Sequence, residues 1–262
     1  HVPLFVSEKF RGKTERGLYG DVIAEIDWSV GEILAALKKH GIDRKTLVIY
    51  ISDNGPWLSY GDHGGSARPL REGKGTSWEG GIRVPCIMRW PERIPAGSVS
   101  SEPVMTIDIL PTLAALVGGR LPPHKIDGKD LGPLLVGSSG AKSPHDAYFI
   151  YYRRNELQAL LSGRWKLYLP HTYRTLAGRP GGEGGKPVPY RRARTKTALY
   201  DLQADVAETT EIADRYPEVV KRLLGLAEKC RDDLGDALTG RPAQGARPPG
   251  KLPSPGRPAP GP

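Results

Sequence analysis

The chain has 262 residues, 38% of them hydrophobic, which is enough to bury a sizeable core in one large domain or one and a half. Two cysteines, Cys86 and Cys230, exclude a disulfide framework, no spacing resembles a zinc site, and no run of about 18 apolar residues exists to span a membrane. The net charge of +9 is gathered largely in one segment late in the chain, so a uniformly basic surface is excluded as well.

The first residues, "HVPLF", lack a methionine and run straight into a segment that reads as structured, so a preceding stretch is expected and no targeting signal is legible. From Asp21 to His40 the residues Val22, Ile26, Val30, Ile33 and Leu37 recur at three- and four-residue steps, and Gly41 follows as a stop, which predicts an amphipathic helix. Asp27 on this helix reads as a helix-face or hydrogen-bonding residue. Thr46 to Ser52 is short, continuously apolar and rich in β-branched residues, as in a strand covered on both faces within a parallel sheet. A Gly-rich loop from Gly55 to Gly81 leads to a second apolar run, Val84 to Trp90, and Ile107 to Val117 then reads as a helix ended by Gly118-Gly119.

From Ala147 the style changes. "AYFIYY", "ALLSGRWKLYLP" and "TALYDL" are aromatic, β-prone pieces joined by turns, followed by an amphipathic helix from Pro217 to Cys230. The fold class expected is therefore α/β, a mostly parallel sheet with flanking helices, plus a small antiparallel sheet with one helix. The divisions expected are residues 1–146, 147–235 and a disordered Pro/Gly/Arg-rich tail, 236–262. Within the small domain, Arg164, Lys166, Arg174, Arg179, Lys186, Arg191, Arg192, Arg194 and Lys196 face the single acid Glu183. Such a stretch reads as a solvated loop or as an electropositive rim for anionic substrates, and it lacks the motif and aromatic interleaving of a nucleic-acid surface.

The most informative letters are "ISDNGPW" at the end of the first strand. Ligands of open α/β sheets gather outside the carboxyl ends of strands, and Asp53 and Asn54 occupy that position. A carboxylate beside a carboxamide offers only hard oxygen donors, suited to calcium or magnesium rather than zinc. Asp-Asn-Gly-Pro is equally a set of ordinary turn formers. In the loop that follows, Lys74 stands between Gly73 and Gly75, where backbone can approach a ligand closely and an ammonium can reach an anion.

The whole string "TLVIYISDNGP … PLREGKGTSWEGGIRVPCIMRWP", continued through "TIDILPTLAALVGG", "IDGKDLGPLL" and "ALYDLQADVAE", resembles the sulfatase family, the arylsulfatase-like branch of the alkaline-phosphatase-like superfamily. The resemblance runs from His1 to about Cys230. It implies that Asp53 and Asn54 complete a calcium site, that Lys74 contacts the sulfate, and that His1, in "HVP", touches the sulfate or the leaving oxygen. It also implies hydrolysis of an aryl or carbohydrate sulfate monoester. The nucleophile of such enzymes is a formylglycine made from the cysteine of Cys-x-Pro-x-Arg, and neither "CIMRW" at Cys86 nor "CRDDL" at Cys230 fits. The chain therefore resembles the C-terminal half of a sulfatase, inactive alone, from a secreted, periplasmic or lysosomal protein. His171, after a strand of the small domain, is a candidate substrate contact or a residue of a surface turn. His63 reads as a loop histidine bonded to backbone or as a ligand, and Trp78 and Glu79 as packing or loop support. Two other functions fit the same letters: a phosphatase or phosphodiesterase of the superfamily, against which Asn54 argues, and a non-catalytic binder of sulfated glycans.

Overall fold

The computed structural model describes residues 2–247; His1 and the stretch 248–262 lie outside the described residues. Helix α1 (Gly17–Lys39) begins one turn earlier than its periodicity predicts, because buried Asp21 anchors the preceding loop. Its carboxylate accepts the N–H groups of Gly12, Lys13 and Thr14 at 2.8, 3.1 and 2.9 Å. Burial alone would raise this carboxyl, and those bonds pull it below the usual range. The apolar face expected to turn inward is only partly covered: Val22, Val30 and Leu37 are half-buried, whereas Ile26 and Ile33 are exposed. Trp28 is sheltered by Phe10, 5.6 Å away between rings, and by the Lys9 ammonium at 3.7 Å.

Strand β1 (Val48–Ile51) pairs with β2 (Cys86–Arg89) in an antiparallel register, Val48 opposite Arg89 and Ile51 opposite Cys86. The parallel pairing expected of β1 is thus not made with this neighbour. A continuous apolar run signals what covers the faces of a strand and carries no information on the direction of the strand beside it. The pair is clamped at one end by a bidentate Arg89–Asp43 contact at 2.7 and 3.0 Å and by the Trp90 indole N–H on the Arg44 carbonyl at 2.9 Å. Between the two strands lies α2 (Glu79–Ile82), a single turn at the end of the Gly-rich loop. Helices α3 (Ile109–Val117) and α4 (Gly132–Leu135) border an apolar crevice with the pair, lined by Ile109, Leu113, Leu131 and Leu135 and by Leu47, Ile49 and Met88. Gly118, at φ 65°, ends α3 as expected.

Asp108, immediately before α3, is fully buried and holds this region together. It accepts the N–H groups of Met105 and Lys129 at 3.1 and 2.9 Å and the Tyr148 hydroxyl at 2.9 Å, and meets His145 Nε2 at 2.6 Å. Asp108→Asn keeps the shape but replaces one acceptor oxygen by a donor, and is expected to cost about 1–3 kcal/mol in urea unfolding. An unchanged midpoint would remove the carboxylate from its place in the core.

The small domain is a four-stranded antiparallel sheet in the order β3 (Tyr148–Tyr152), β4 (Glu156–Ser162), β5 (Trp165–Tyr168), β8 (Ala198–Asp201). In β4 the register with β3 slips by one residue, so that Ile150 faces Ala159 and Tyr151 faces Leu157, leaving Gln158 as the bulged residue. The bulge sends Leu157 and Leu160 to one face and Ala159 to the other. Helix α5 (Pro217–Leu234) covers the first face with Leu223 and Ala227 against Leu157, Leu160, Leu167 and Leu199. The second face receives the Gly-rich loop: Trp78, 1% exposed, packs on Tyr168, Tyr200 and Ala198. A separate hairpin, β6 (His171–Thr175) with β7 (Arg191–Thr195), extends from the same side.

The tail expected to be disordered from 236 begins with packed structure. Asp236 is fully buried, accepts the Arg231 guanidinium at 2.8 Å and the Leu157 and Leu238 N–H groups, and pairs with Arg241 in a β-bridge. Composition marks this stretch as poor in apolar residues, and its order comes instead from one satisfied carboxylate.

Candidate active site

The end of β1 and the Gly-Lys-Gly segment are neighbours through one carbonyl. Lys74 donates its backbone N–H to the Pro56 oxygen at 2.9 Å, two residues beyond Asn54. Two glycines make this approach possible: a Cβ on Gly55 would meet the Gly80 oxygen at 1.8 Å, and one on Gly73 would meet the Pro56 oxygen at 2.5 Å. The Lys74 ammonium stands 5.2 Å from the centre of the Trp57 ring, half-buried and without a carboxylate partner among the described residues. Asp53 is exposed and Asn54 half-buried. Neither side chain forms a hydrogen bond among the described residues, and both carry oxygen donors of the kind a hard cation takes. No group of three or more His, Cys, Asp or Glu side chains gathers as a metal site among those residues, so the pair would supply a minority of the six to eight oxygens that calcium takes.

The small domain fixes the lysine loop from behind. Arg174, on β6, aims its guanidinium at the Lys74 carbonyl oxygen, with Nε at 3.0 Å and a second nitrogen on the same atom. The guanidinium also lies 4.6 Å from the centre of the Tyr190 ring. Thr175 donates its hydroxyl to Glu72 at 2.6 Å, and the Arg71 guanidinium lies 3.6 Å over Trp78 while reaching the Glu208 carbonyl at 3.0 Å. Deeper still, Lys166, fully buried, bonds Glu79 at 2.7 Å and lies 3.3 Å from Glu208. Glu208 takes the Tyr168 hydroxyl at 2.5 Å and the Glu79 N–H at 2.8 Å. Burial raises the Glu208 carboxyl above its ordinary range in spite of the attraction of Lys166. Burial, with the Glu208 charge beside it, likewise holds the Tyr168 phenol well above its ordinary value.

The candidate histidines fall in three different places. His1 lies outside the described residues; Leu4, three positions on, donates its N–H to His63 Nδ1 at 2.9 Å, which makes His63 the backbone-bonded loop histidine its context suggests. His171 is neither in a surface turn nor open to a cleft: it is 3% exposed, with Nδ1 2.7 Å from the Leu169 carbonyl and Nε2 3.4 Å from the Ser77 hydroxyl. Burial lowers its pKa and keeps it neutral, so it stands under the lysine loop as a support. Arg174, Lys166 and Glu208 escape sequence reasoning, because no spacing ties them to the loop they hold.

The basic segment divides accordingly. Arg164 pairs with Asp201, Lys166 with Glu79, and Arg174 with the Lys74 carbonyl, whereas Arg191, Arg192, Arg194 and Lys196 are exposed. The loop between β6 and β7 docks onto residues 58–63: the N–H groups of Gly182 and Val188 both reach the Ser59 oxygen at 2.9 Å.

The Asp53–Asn54 strand end and the glycine-flanked Lys74 are thus joined through the Pro56 carbonyl beside a small antiparallel domain, and similarity to known proteins places the chain in the sulfatase class. The Sulfatase family model matches residues 1–119, that of the N-sulphoglucosamine sulphohydrolase C-terminal region residues 73–166, and that of the C-terminal region of aryl-sulfatase residues 143–243. Murine (Mus musculus) steryl-sulfatase is 36% identical over 260 residues, covering 90% of this chain and 41% of its own length. Human (Homo sapiens) arylsulfatase A is 36% identical over 256 residues, 94% of this chain and 50% of its own. Among solved structures, the PsFucS1 sulfatase from Pseudoalteromonas sp. superposes with a TM-score of 0.76 at 27% identity, over 88% of this chain and 46% of that one. The chain belongs to the sulfatase family and spans about half the length, or less, of these relatives.

Proposed function

We propose that this chain is the C-terminal portion of an enzyme that hydrolyses a sulfate monoester, aryl or carbohydrate, and that its part in catalysis is to bind the sulfate group. The observation that carries the reading is the placement of Lys74 against the Asp53–Asn54 strand end through the Pro56 carbonyl. In this reading Asp53 and Asn54 hold a calcium ion, magnesium being less suited, and that ion when bound neutralises charge on the sulfate oxygens. Lys74 places its ammonium on a sulfate oxygen, and its fixed backbone means that little reorganisation is needed as charge shifts in the transition state. His1 holds or protonates the leaving oxygen, a task suited to imidazole near neutral pH.

The nucleophile, a formylglycine, belongs in this reading to a portion of the protein beyond these residues, and the chain alone is inactive. The exposed apolar side chains of Ile26 and Ile33 on α1 and of Leu110 and Val117 on α3 support that view, since they offer surface for further structure to cover. No helix among the described residues is long and apolar enough to cross a membrane, and a secreted, periplasmic or lysosomal location follows the family resemblance.

The test uses the intact protein. After chelation, activity on an aryl sulfate is expected to return with calcium and not with zinc, and Asp53→Ala is expected to raise the calcium concentration for half-recovery by at least about tenfold. Recovery with zinc, accompanied by turnover of a phosphate ester, would instead favour the phosphatase reading.

A further inference from the structure

One face of the β6–β7 hairpin is cationic, with Arg174 half-buried against the lysine loop and Arg192 and Arg194 exposed beyond it. The register sets Thr172 opposite Arg194 and Arg174 opposite Arg192. Side chains alternate along a strand, so these residues share one face while His171, Tyr173 and Thr175 turn inward. Like charges directly opposite one another cost stability, yet Arg174 and Arg192 are so placed. Among the described residues none of Arg174, Arg192 and Arg194 forms an ion pair, and Glu72, beside Thr175, accepts that hydroxyl instead. Arg192, Arg194 and Lys196 are all exposed.

This face is continuous with the candidate active site. Arg174 binds the Lys74 carbonyl on one side and has Arg192 as its cross-strand neighbour on the other. From there the strand rise sets Arg194 about 7 Å beyond Arg192, and Lys196 follows just past the end of β7. We propose that the face is a docking track for a sulfated polysaccharide, whose further sulfate groups bind along β7 while one sulfate lies at Lys74. The proposal rests on the sulfatase reading of the Lys74 loop and narrows its substrate from any sulfate ester to a polyanionic chain. Guanidinium groups suit this task because their fork of donors matches a tetrahedral oxyanion. A single-stranded nucleic acid fits less well, since the aromatic side chains nearby are engaged: Tyr190 under Arg174 and Tyr173 against Trp78.

The test is binding of a heparin hexasaccharide to the full chain by calorimetry at low and near-physiological salt. Arg192→Ala/Arg194→Ala is expected to weaken binding roughly three- to tenfold and to flatten its salt dependence. Lys221→Ala/Lys229→Ala, an equal loss of charge on α5 across the sheet, is expected to leave binding as it was. Equal losses in the two double variants, or single-stranded DNA binding as tightly through the same arginines, would overturn the proposal. In the intact enzyme, the first variant should lower kcat/KM for the hexasaccharide relative to that for a small aryl sulfate. Arginine-dependent hexasaccharide binding by an intact protein that hydrolyses no sulfate ester would sink the hydrolase reading and leave the docking track standing.

Discussion

Lys166→Met is expected to destabilise the protein by about 3–5 kcal/mol, with a fall in melting temperature of roughly 10 °C. Methionine fills much of the same space, so the loss is electrostatic: Glu79 and Glu208, one 4% exposed and the other fully buried, would face each other without the ammonium between them. The pH dependence gives the signature. The Glu208 carboxyl is raised by burial and held down by Lys166, Tyr168 and the Glu79 N–H. A raised carboxyl contributes stability that is fully present below its unfolded pKa and is lost as pH rises through the folded one. Removing Lys166 raises it further. The variant should therefore lose most near neutral pH and recover part of the loss as the pH is lowered and Glu208 takes up a proton. A deficit that does not change across this window would mean that the two carboxylates are not electrostatically coupled to the lysine. Adding Glu208→Gln to the methionine variant should cost less than its effect on the native chain, since the two groups share one interaction.

The second large effect is on turnover. In the intact enzyme, Lys74→Ala is expected to lower kcat/KM for an aryl sulfate by about 10²–10³-fold, the scale seen when one preorganised electrostatic contact is removed. Stability should hardly move, because among the described residues the half-buried ammonium makes no hydrogen bond or ion pair and stands 5.2 Å from the Trp57 ring centre, while the backbone keeps its bonds to Pro56 and Arg174. That separation matters, since a loop made of close glycine contacts could lose activity merely by loosening. Intact melting with activity lost would place the effect in the ammonium. Full activity in Lys74→Ala would show that the lysine is not a sulfate contact.

What sequence could reveal follows the range of its signals. Helix α1, the stop at Gly118 and the aromatic strands of the small domain were all legible, because periodicity, glycine stops and β-branched composition act over a few residues. Asp53, Asn54 and Lys74 stood out because strand ends and glycine-flanked lysines are local features that the family resemblance arranged in order. The direction of β2 against β1 was not legible, since pairing direction is set by the path of the long intervening loop. Nor was the role of His171: its "LPHTY" context reads as a turn, and only the arrival of Ser77 from 94 residues away buries it. The order of residues 236–241 escaped composition for the same reason, as one carboxylate closing on Arg231 and Leu157 leaves no compositional trace.

The seating of the Gly-rich loop on the small domain also has a bearing on synthesis. Glu79 donates its anchoring N–H bond to Glu208, 129 residues later, so the loop leaves the ribosome long before its support exists. At ordinary elongation rates that interval is on the order of ten seconds. During it, Trp78 has no aromatic bed and Lys74 no arginine beneath it. The glycines that permit the tight final approach also leave the waiting segment with few apolar side chains by which to associate wrongly. The candidate sulfate-binding lysine is therefore seated only as the small domain folds, and a nascent chain stalled before β8 would carry every candidate ligand in its sequence without the Glu208 anchor that fixes the loop.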